Sequence, residues 1–280
     1  MREQRTSAQG AIPVGGPVSG TARKMRFRGG GFVQQRRPVM ALLVILGIIL
    51  VWQGVSSAGL INRIFLPSPA RVMTALWGLI VSGELWRHLS ASLGRIVYGW
   101  LLGTAAGITL GLLIGLFSGA RAVGVPLVAA IYPVPKIALL PLLILWLGIG
   151  ELSKVVTIAA SVFFPTAIAT FSGVDSVPRN LIRMAQSFNV PLRAIIWKVL
   201  LPGALPGILS GFRISVAAAL LVLVAAEMIG AQFGLGAFLI ATGNMMQTDR
   251  LMAGVVVLSA LGLAMGAIIS FLERKLLTWR

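Results

Sequence analysis

The chain has 280 residues, of which 57% are hydrophobic and only 11% charged, with a mean hydropathy of +0.94; soluble domains carry about 25% charged residues, so this composition points to an integral membrane protein. The net charge of +17, from 24 Lys+Arg against 7 Asp+Glu, would indicate nucleic acid only if the charges lined one soluble face. Cysteine is absent and His88 is the lone histidine, which excludes disulfides, thiolate metal sites and cysteine nucleophiles.

Residues 1–38 are rich in Gly, Arg, Gln and Ser, include Arg23, Lys24, Arg26, Arg28, Arg36 and Arg37, and show no apolar periodicity. They predict a disordered basic tail ahead of a transmembrane domain over 39–280. The run "VMALLVILGIILVWQGV" (39–55) is about the minimum length that spans a bilayer as a helix. A basic flank, an apolar run and "SSAG" also describe a signal peptide. The length of both flank and run predicts a retained helix.

Pro67 and Pro69 stop any helix in the mixed segment that follows, and a short amphipathic piece from Ala70 suits the outer interface. The second span, about 96–117, carries Gly103, Gly107, Gly111, Gly115 and Gly119 at every fourth position. Small residues so spaced share one helix face and predict close packing against a second backbone. The third span, about 123–149, is interrupted by "YPVPKIALLP", where Pro133, Pro135 and Pro141 each remove a backbone donor and break the helix. "GELSK" (150–154) predicts a turn, 155–173 a fourth span containing Pro165, 208–229 a fifth, "GAQFGLG" a turn, and 251–272 a sixth.

With about six spans, one side gathers Arg121, Arg179, Arg183, Arg193, Lys198, Arg213, Arg274, Lys275 and Arg280 besides the tail, and the other keeps Arg63, Arg71, Arg87, Arg95, Lys154 and Arg250. The positive-inside rule makes the basic side, and both termini, cytoplasmic. The charge is then topological, and nucleic acid is not an expected partner.

Between spans four and five lies a cytoplasmic stretch, 178–206, which is too long for a simple connection. Leu181, Ile182, Ala185 and Phe188, then Ile195, Ile196 and Val199, recur at helical spacing around Asn189-Val190-Pro191. Two short amphipathic helices joined by a tight turn fit this pattern. Their apolar faces need a cover: the protein's own underside, the membrane surface, or another subunit.

The run ending "VLLPGALPGILSGFR" resembles the cytoplasmic EAA loop of permease subunits in bacterial ABC importers. With Pro202 at the motif's end, Val199 and Leu201 fall on its I and L, Asn189 on its glycine, and Arg183-Met184-Ala185 on EAA. Arg183 and Asn189 depart from the family's glutamate and glycine. "LPSP", "PKIALLPLLILWLGIGE", "FFPTAIATFSGV" and "LVAAEMIGAQFGLG" resemble the permeases for sulfonates, taurine and nitrate, in the family's order over about residues 40–273.

The resemblance implies an all-α type I ABC importer transmembrane domain in the bacterial inner membrane, working as a homodimer surrounded by lipid. It also implies two cytoplasmic ATP-binding subunits and a periplasmic solute-binding protein. A coupling helix would be formed by Arg183, Met184, Ala185, Gln186, Ser187, Phe188, Asn189, Val190 and Pro191. The chain has no G-x-x-x-x-G-K-[ST], so ATP and Mg would be bound by the partner ATPase, with no cofactor in this chain. The solute expected from the resemblance is a small anion.

Two intramembrane charges carry alternatives. Glu227, followed by Met228, either lines the translocation pathway or pairs with a basic residue, since a lone carboxylate in lipid costs about 2.5–3.5 kcal/mol. Lys136, beside Pro133 and Pro135, either attracts an anion where the broken helix exposes backbone groups, or snorkels or pairs. An ion-coupled secondary transporter is the competing class, without an ATPase partner. Co-purification of an ATP-binding subunit separates the two.

Overall fold

A computed structural model describes residues 38–62 and 64–277, and among them every regular element is helical. The expected tail lies outside the described residues apart from Pro38, which opens helix α1 (Pro38–Ser57). Compact units divide between Gly47 and Ile48. The described part of the first is the start of α1, and the following description concerns the second.

Among the described residues, four helices are long and apolar enough to cross a membrane, and a bent helix pair makes a fifth candidate. They are α3 (Glu84–Leu116), α6 (Glu151–Asp175), the helix ending in α9 (Leu201–Gly230) and α11 (Thr248–Leu276). The bent pair contains α4 (Ser118–Ile131) and α5 (Leu140–Leu147), which turn by 84° across the break. Of the six spans expected, the first is a shorter apolar helix over Leu42–Ser57. Near its end, Trp52 Nε1 donates to Pro67 O at 3.1 Å and Ser56 Oγ to Leu66 O at 3.1 Å. The amphipathic piece expected from Ala70 is α2 (Pro69–Val81), opened by Ser68 as N-cap and Pro69 in the first turn.

The glycine ladder explains how α3 meets α6. A Cβ on Gly107 would lie 2.7 Å from Phe163 O, one on Gly111 2.6 Å from Ala167 O, and one on Gly115 2.9 Å from Val174 Cβ. Gly103 faces Ala159 O in the same way, and Gly99, unremarked in the sequence, faces Ile158. Gly119 does not belong to the stripe: nothing lies within 4 Å of its Cβ position. The helix that carries the stripe ends at Leu116, and the chain turns through extended Phe117 before α4 starts. A second set, Gly173, Gly207 and Gly211, brings α6 equally close to α9. Helix α6 is therefore the axis of the bundle, while α11 is the most exposed of the long helices.

Three apolar clusters lie along this axis. Ile96, Ile158, Val162, Ala219 and Leu223 form the middle one. Val174, Val177, Ile195, Leu200, Ala204 and Ile208 close the end bearing Arg121, Arg274 and Lys275, called the basic end below. Val72, Leu79, Leu85, Leu235, Phe238 and Ala253 close the opposite end. The last cluster includes α10 (Leu235–Asn244), a short helix that starts within the "GAQFGLG" turn and fills the segment before the sixth expected span.

The stretch 178–206 divides differently from the expectation. Helix α7 (Arg179–Ser187) is separate, but α8 (Leu192–Ile195) runs through a π-helical turn, Ile196–Leu200, straight into α9. Pro202 and Pro206 thus sit inside the long helix Leu192–Gly230 rather than ahead of it. The reason is local. Pro202 cannot donate to a carbonyl four residues back, and the preceding turn widens so that Leu201 N bonds Ile196 O instead.

Candidate functional site: a presented helix and a buried charge network

Helix α7 is held from behind and open in front. Ile182 and Ala185 pack against the basic-end cluster, together with Val190. Met184 is 56% exposed and Phe188 77% exposed, which for large apolar side chains at a polar end is expensive unless something covers them. Arg183 and Ser187 share this open side, and Ser187 Oγ donates to Arg183 O at 3.0 Å.

The end of α7 is a two-bond helix stop. Val190 N donates to Ala185 O at 3.1 Å and Asn189 N to Gln186 O at 2.9 Å, with Asn189 at φ 54° and apolar Ala185 and Val190 meeting beneath. This arrangement requires a left-handed residue, a position taken by glycine most often and by asparagine next. Asn189 therefore takes a left-handed conformation that glycine adopts most readily. Pro191 then starts α8 as its N-cap. The nine residues from Arg183 to Pro191 lie together in α7 and the turn after it, whereas Pro202, placed at the end of the loop pattern, stands apart inside α9.

The five residues grouped as pathway candidates occupy two separate places. Pro133 and Pro135 lie in the break between α4 and the 3₁₀ turn Lys136–Leu139. Lys136 Nζ folds back to donate to Ile131 O, Tyr132 O and Val134 O at 3.0, 3.0 and 2.6 Å, and lies 4.7 Å from the Phe164 ring centroid. Its ammonium thus caps three carbonyls at the end of α4 and in the break, one of which, Ile131 O, also accepts from Val134 N. Glu227 is elsewhere: measured along α6, Phe164 and the Glu151 that neighbours its network are about 20 Å apart. Met228 beside it is 41% exposed.

Glu227 is 1% exposed and fully engaged. Arg95 Nη1 donates to Oε1 at 2.6 Å, Gly236 N to Oε2 at 2.8 Å, and the Ser92 hydroxyl lies 2.8 and 2.9 Å from the two oxygens. Ser92 in turn accepts from Leu235 N at 2.8 Å. Arg95, 4% exposed, turns its other edge to Glu151, Nε to Oε2 at 2.5 Å and Nη2 to Oε1 at 2.7 Å, and reaches Phe233 O at 2.7 Å. Lys154 is buried alongside, with Nζ on Gly150 O at 2.9 Å. Gly234, at φ 140°, leaves no room for a Cβ between Glu227 and Arg95.

One guanidinium thus ties α3 to α6, α9 and the 231–236 turn. Of the two readings of Glu227, the geometry gives it a basic partner and no open surface. Arg95 and Lys154, expected among the outer-side charges, are buried in this network instead; the signal for Arg95 is Glu227 itself, a buried carboxylate that needs a donor. Near the same end, Arg250 pairs with Glu84, and His88 Nδ1 contacts Gly234 O at 2.9 Å.

The matches with known proteins follow these features. The binding-protein-dependent transport system inner membrane component family matches residues 107–278, which include the broken helix, α6, α7 and α9. The chain belongs to that family. This permease is 34% identical over 263 residues to the taurine transport system permease protein TauC of Escherichia coli K12, covering 92% of this chain and 94% of the relative. It is 37% identical over 233 residues to SsuC of Bacillus subtilis 168, named for aliphatic sulfonates transport, covering 83% and 84%. An inward-facing structure of the MetNI methionine ABC transporter superposes with a TM-score of 0.59 at 22% identity, over 69% of this chain and 95% of that one. The fold is therefore that of a type I ABC importer membrane domain, located in the inner membrane. The relatives are transport permeases rather than enzymes.

Proposed function

We propose that the permease is one of two identical membrane subunits of an ATP-driven importer for a small sulfonate-type anion such as taurine or an alkanesulfonate. It works with two cytoplasmic ATP-binding subunits, which hold ATP and Mg, and a periplasmic protein that delivers the solute. The solute class rests on the relatives' names at 34 and 37% identity.

Helix α7 carries the coupling role. It offers Met184 and Phe188 outward, while Ile182, Ala185 and Val190 lock it to the ends of α6 and α9. A push on its outer face passes to those helices through close apolar contact, because a packed cluster transmits displacement instead of absorbing it. α6 and α9 then tilt as a pair, carrying the buried Arg95–Glu227 joint with them, and the path opens alternately to the two sides.

The Phe188→Asp variant tests this. Phe188 is so exposed that the change leaves the permease fold intact, with the protein's own stability altered by less than about 0.5 kcal/mol. The expected result is a permease of normal abundance that no longer retains the ATPase on purification and no longer supports ATP-driven uptake of taurine. Stoichiometric ATPase with full uptake would refute the coupling role.

A further inference from the structure

A cavity of about 310 Å³ lies behind α7, between that helix, the α3–α4 turn and the end of α6. Its floor is apolar and buried: Val174, Val177, Ile195 and Leu200 are each at most 8% exposed. Its mouth is polar. Asp175 has both oxygens taken by Arg121, at 2.6 Å each, which leaves the guanidinium of Arg179 as the surplus charge there. Among the described residues, neither the Arg179 side chain nor the Gln186 amide, also on the rim, makes a hydrogen bond.

An apolar pocket with a few converging donors, at the small end of the usual ligand-site range of about 300–1,000 Å³, selects for an occupant of matching polarity. The tail must be aliphatic, because the floor offers no hydrogen bond. The head must be an acceptor with negative charge, because the rim offers a planar guanidinium fork and an amide N–H.

We propose that this cavity is a cytoplasmic-side site for a single-headed amphiphilic anion, with a sulfonate or carboxylate on Arg179 and Gln186 and a short alkyl chain against Val174, Val177, Ile195 and Leu200. The occupant sits between α7 and the bundle, so it wedges the coupling helix against the body and slows the ATP cycle. This inference rests on the alkanesulfonate reading for its functional meaning: an alkanesulfonate accumulated inside would act back on its own importer, whereas taurine, whose ammonium would meet the apolar floor, would not. The binding chemistry stands independently, and an acyl chain from the membrane would satisfy it as well.

The test uses the permease–ATPase complex in lipid nanodiscs without the binding protein, with 1-hexanesulfonate as probe. Equilibrium binding is expected to saturate at one molecule per permease and to weaken as the alkyl chain is shortened to methanesulfonate. Arg179→Gln is expected to weaken it by at least about tenfold, the loss of a charge-assisted hydrogen bond. Val177→Trp, which fills the floor, should abolish it; if that variant does not assemble, Arg179→Gln carries the test. ATPase activity of the wild type should fall over the same concentration range.

No saturable binding, or equal binding by wild type and Arg179→Gln, overturns the site. Saturable binding with an unchanged ATPase rate overturns the wedge. A co-purified fatty acid released by hexanesulfonate supports the site and names the membrane as its source, whereas a vacant purified complex names the soluble anion. ATP-driven taurine uptake, measured on the same preparation with the binding protein restored, separates the two readings. Uptake without hexanesulfonate binding sinks only the cavity site, and binding without uptake of any sulfonate sinks only the substrate class.

Discussion

Arg95→Ala is expected to yield almost no folded permease in the membrane. The variant leaves Glu227 buried with Ser92 and Gly236 N as its remaining partners, and frees Phe233 O and the end of α6 at the same time. Removing one member of a buried ion pair costs about 3–5 kcal/mol, most of it the penalty for the stranded charge. That is a large part of the roughly 5–15 kcal/mol that separates a folded domain from its unfolded state. Membrane abundance and thermal unfolding of the extracted protein measure the loss.

The asymmetry of the network sharpens the test. Glu151 has a side chain 67% exposed, against 4% for Arg95, so Glu151→Gln strands no buried carboxylate, keeps an amide oxygen for the guanidinium, and costs less than Arg95→Ala. It should be abundant and stable. Replacing both Arg95 and Glu227 by methionine removes the stranded charge and is expected to recover much of the abundance lost in Arg95→Ala. If Arg95→Ala is as stable as Glu151→Gln, the guanidinium is not the joint between α3, α6 and α9.

These two side chains also show where sequence reasoning reached and where it stopped. The bundle was legible because apolar runs, broken by prolines and bounded by arginines, obey the length and charge rules of a bilayer. The break at Pro133 and Pro135 and the turn at Asn189 were legible because each depends on neighbouring residues alone. Arg95 was not: it is separated by 132 residues from Glu227, and an isolated arginine in a mixed segment looks like an interfacial charge until its partner is placed. Helix α3 accordingly starts at Glu84 rather than near 96, because pairing makes Arg95 compatible with burial. The π-helical entry to α9 escaped for a related reason. A proline normally ends a helix, and only the shifted bond from Leu201 to Ile196 shows how the turn before Pro202 accommodates it.

The glycine stripe allows the second large effect to be predicted position by position. Gly111→Val is expected to lower the thermal midpoint of the permease by about 5–10 °C, from about 2–3 kcal/mol of overpacking. A Cβ at that position meets Thr170 Cβ at 2.5 Å and Ala167 O at 2.6 Å. The carbonyl belongs to the backbone of α6 and cannot rotate away, so the two helices must separate along the whole contact. Gly119→Ala is the matched control. It has the same spacing in the sequence but no atom within 4 Å of the new Cβ, and alanine gains up to about 1 kcal/mol of helix propensity over glycine. Its midpoint should hold or rise. Equal effects at Gly111 and Gly119 would mean that the repeat reflects glycine content alone; opposite effects would mean that α3 and α6 are fused by backbone contact. In the second case a displacement of α6 by α7 must carry α3 with it, and the moving body of the transport cycle is the α3–α6–α9 triad rather than any single helix.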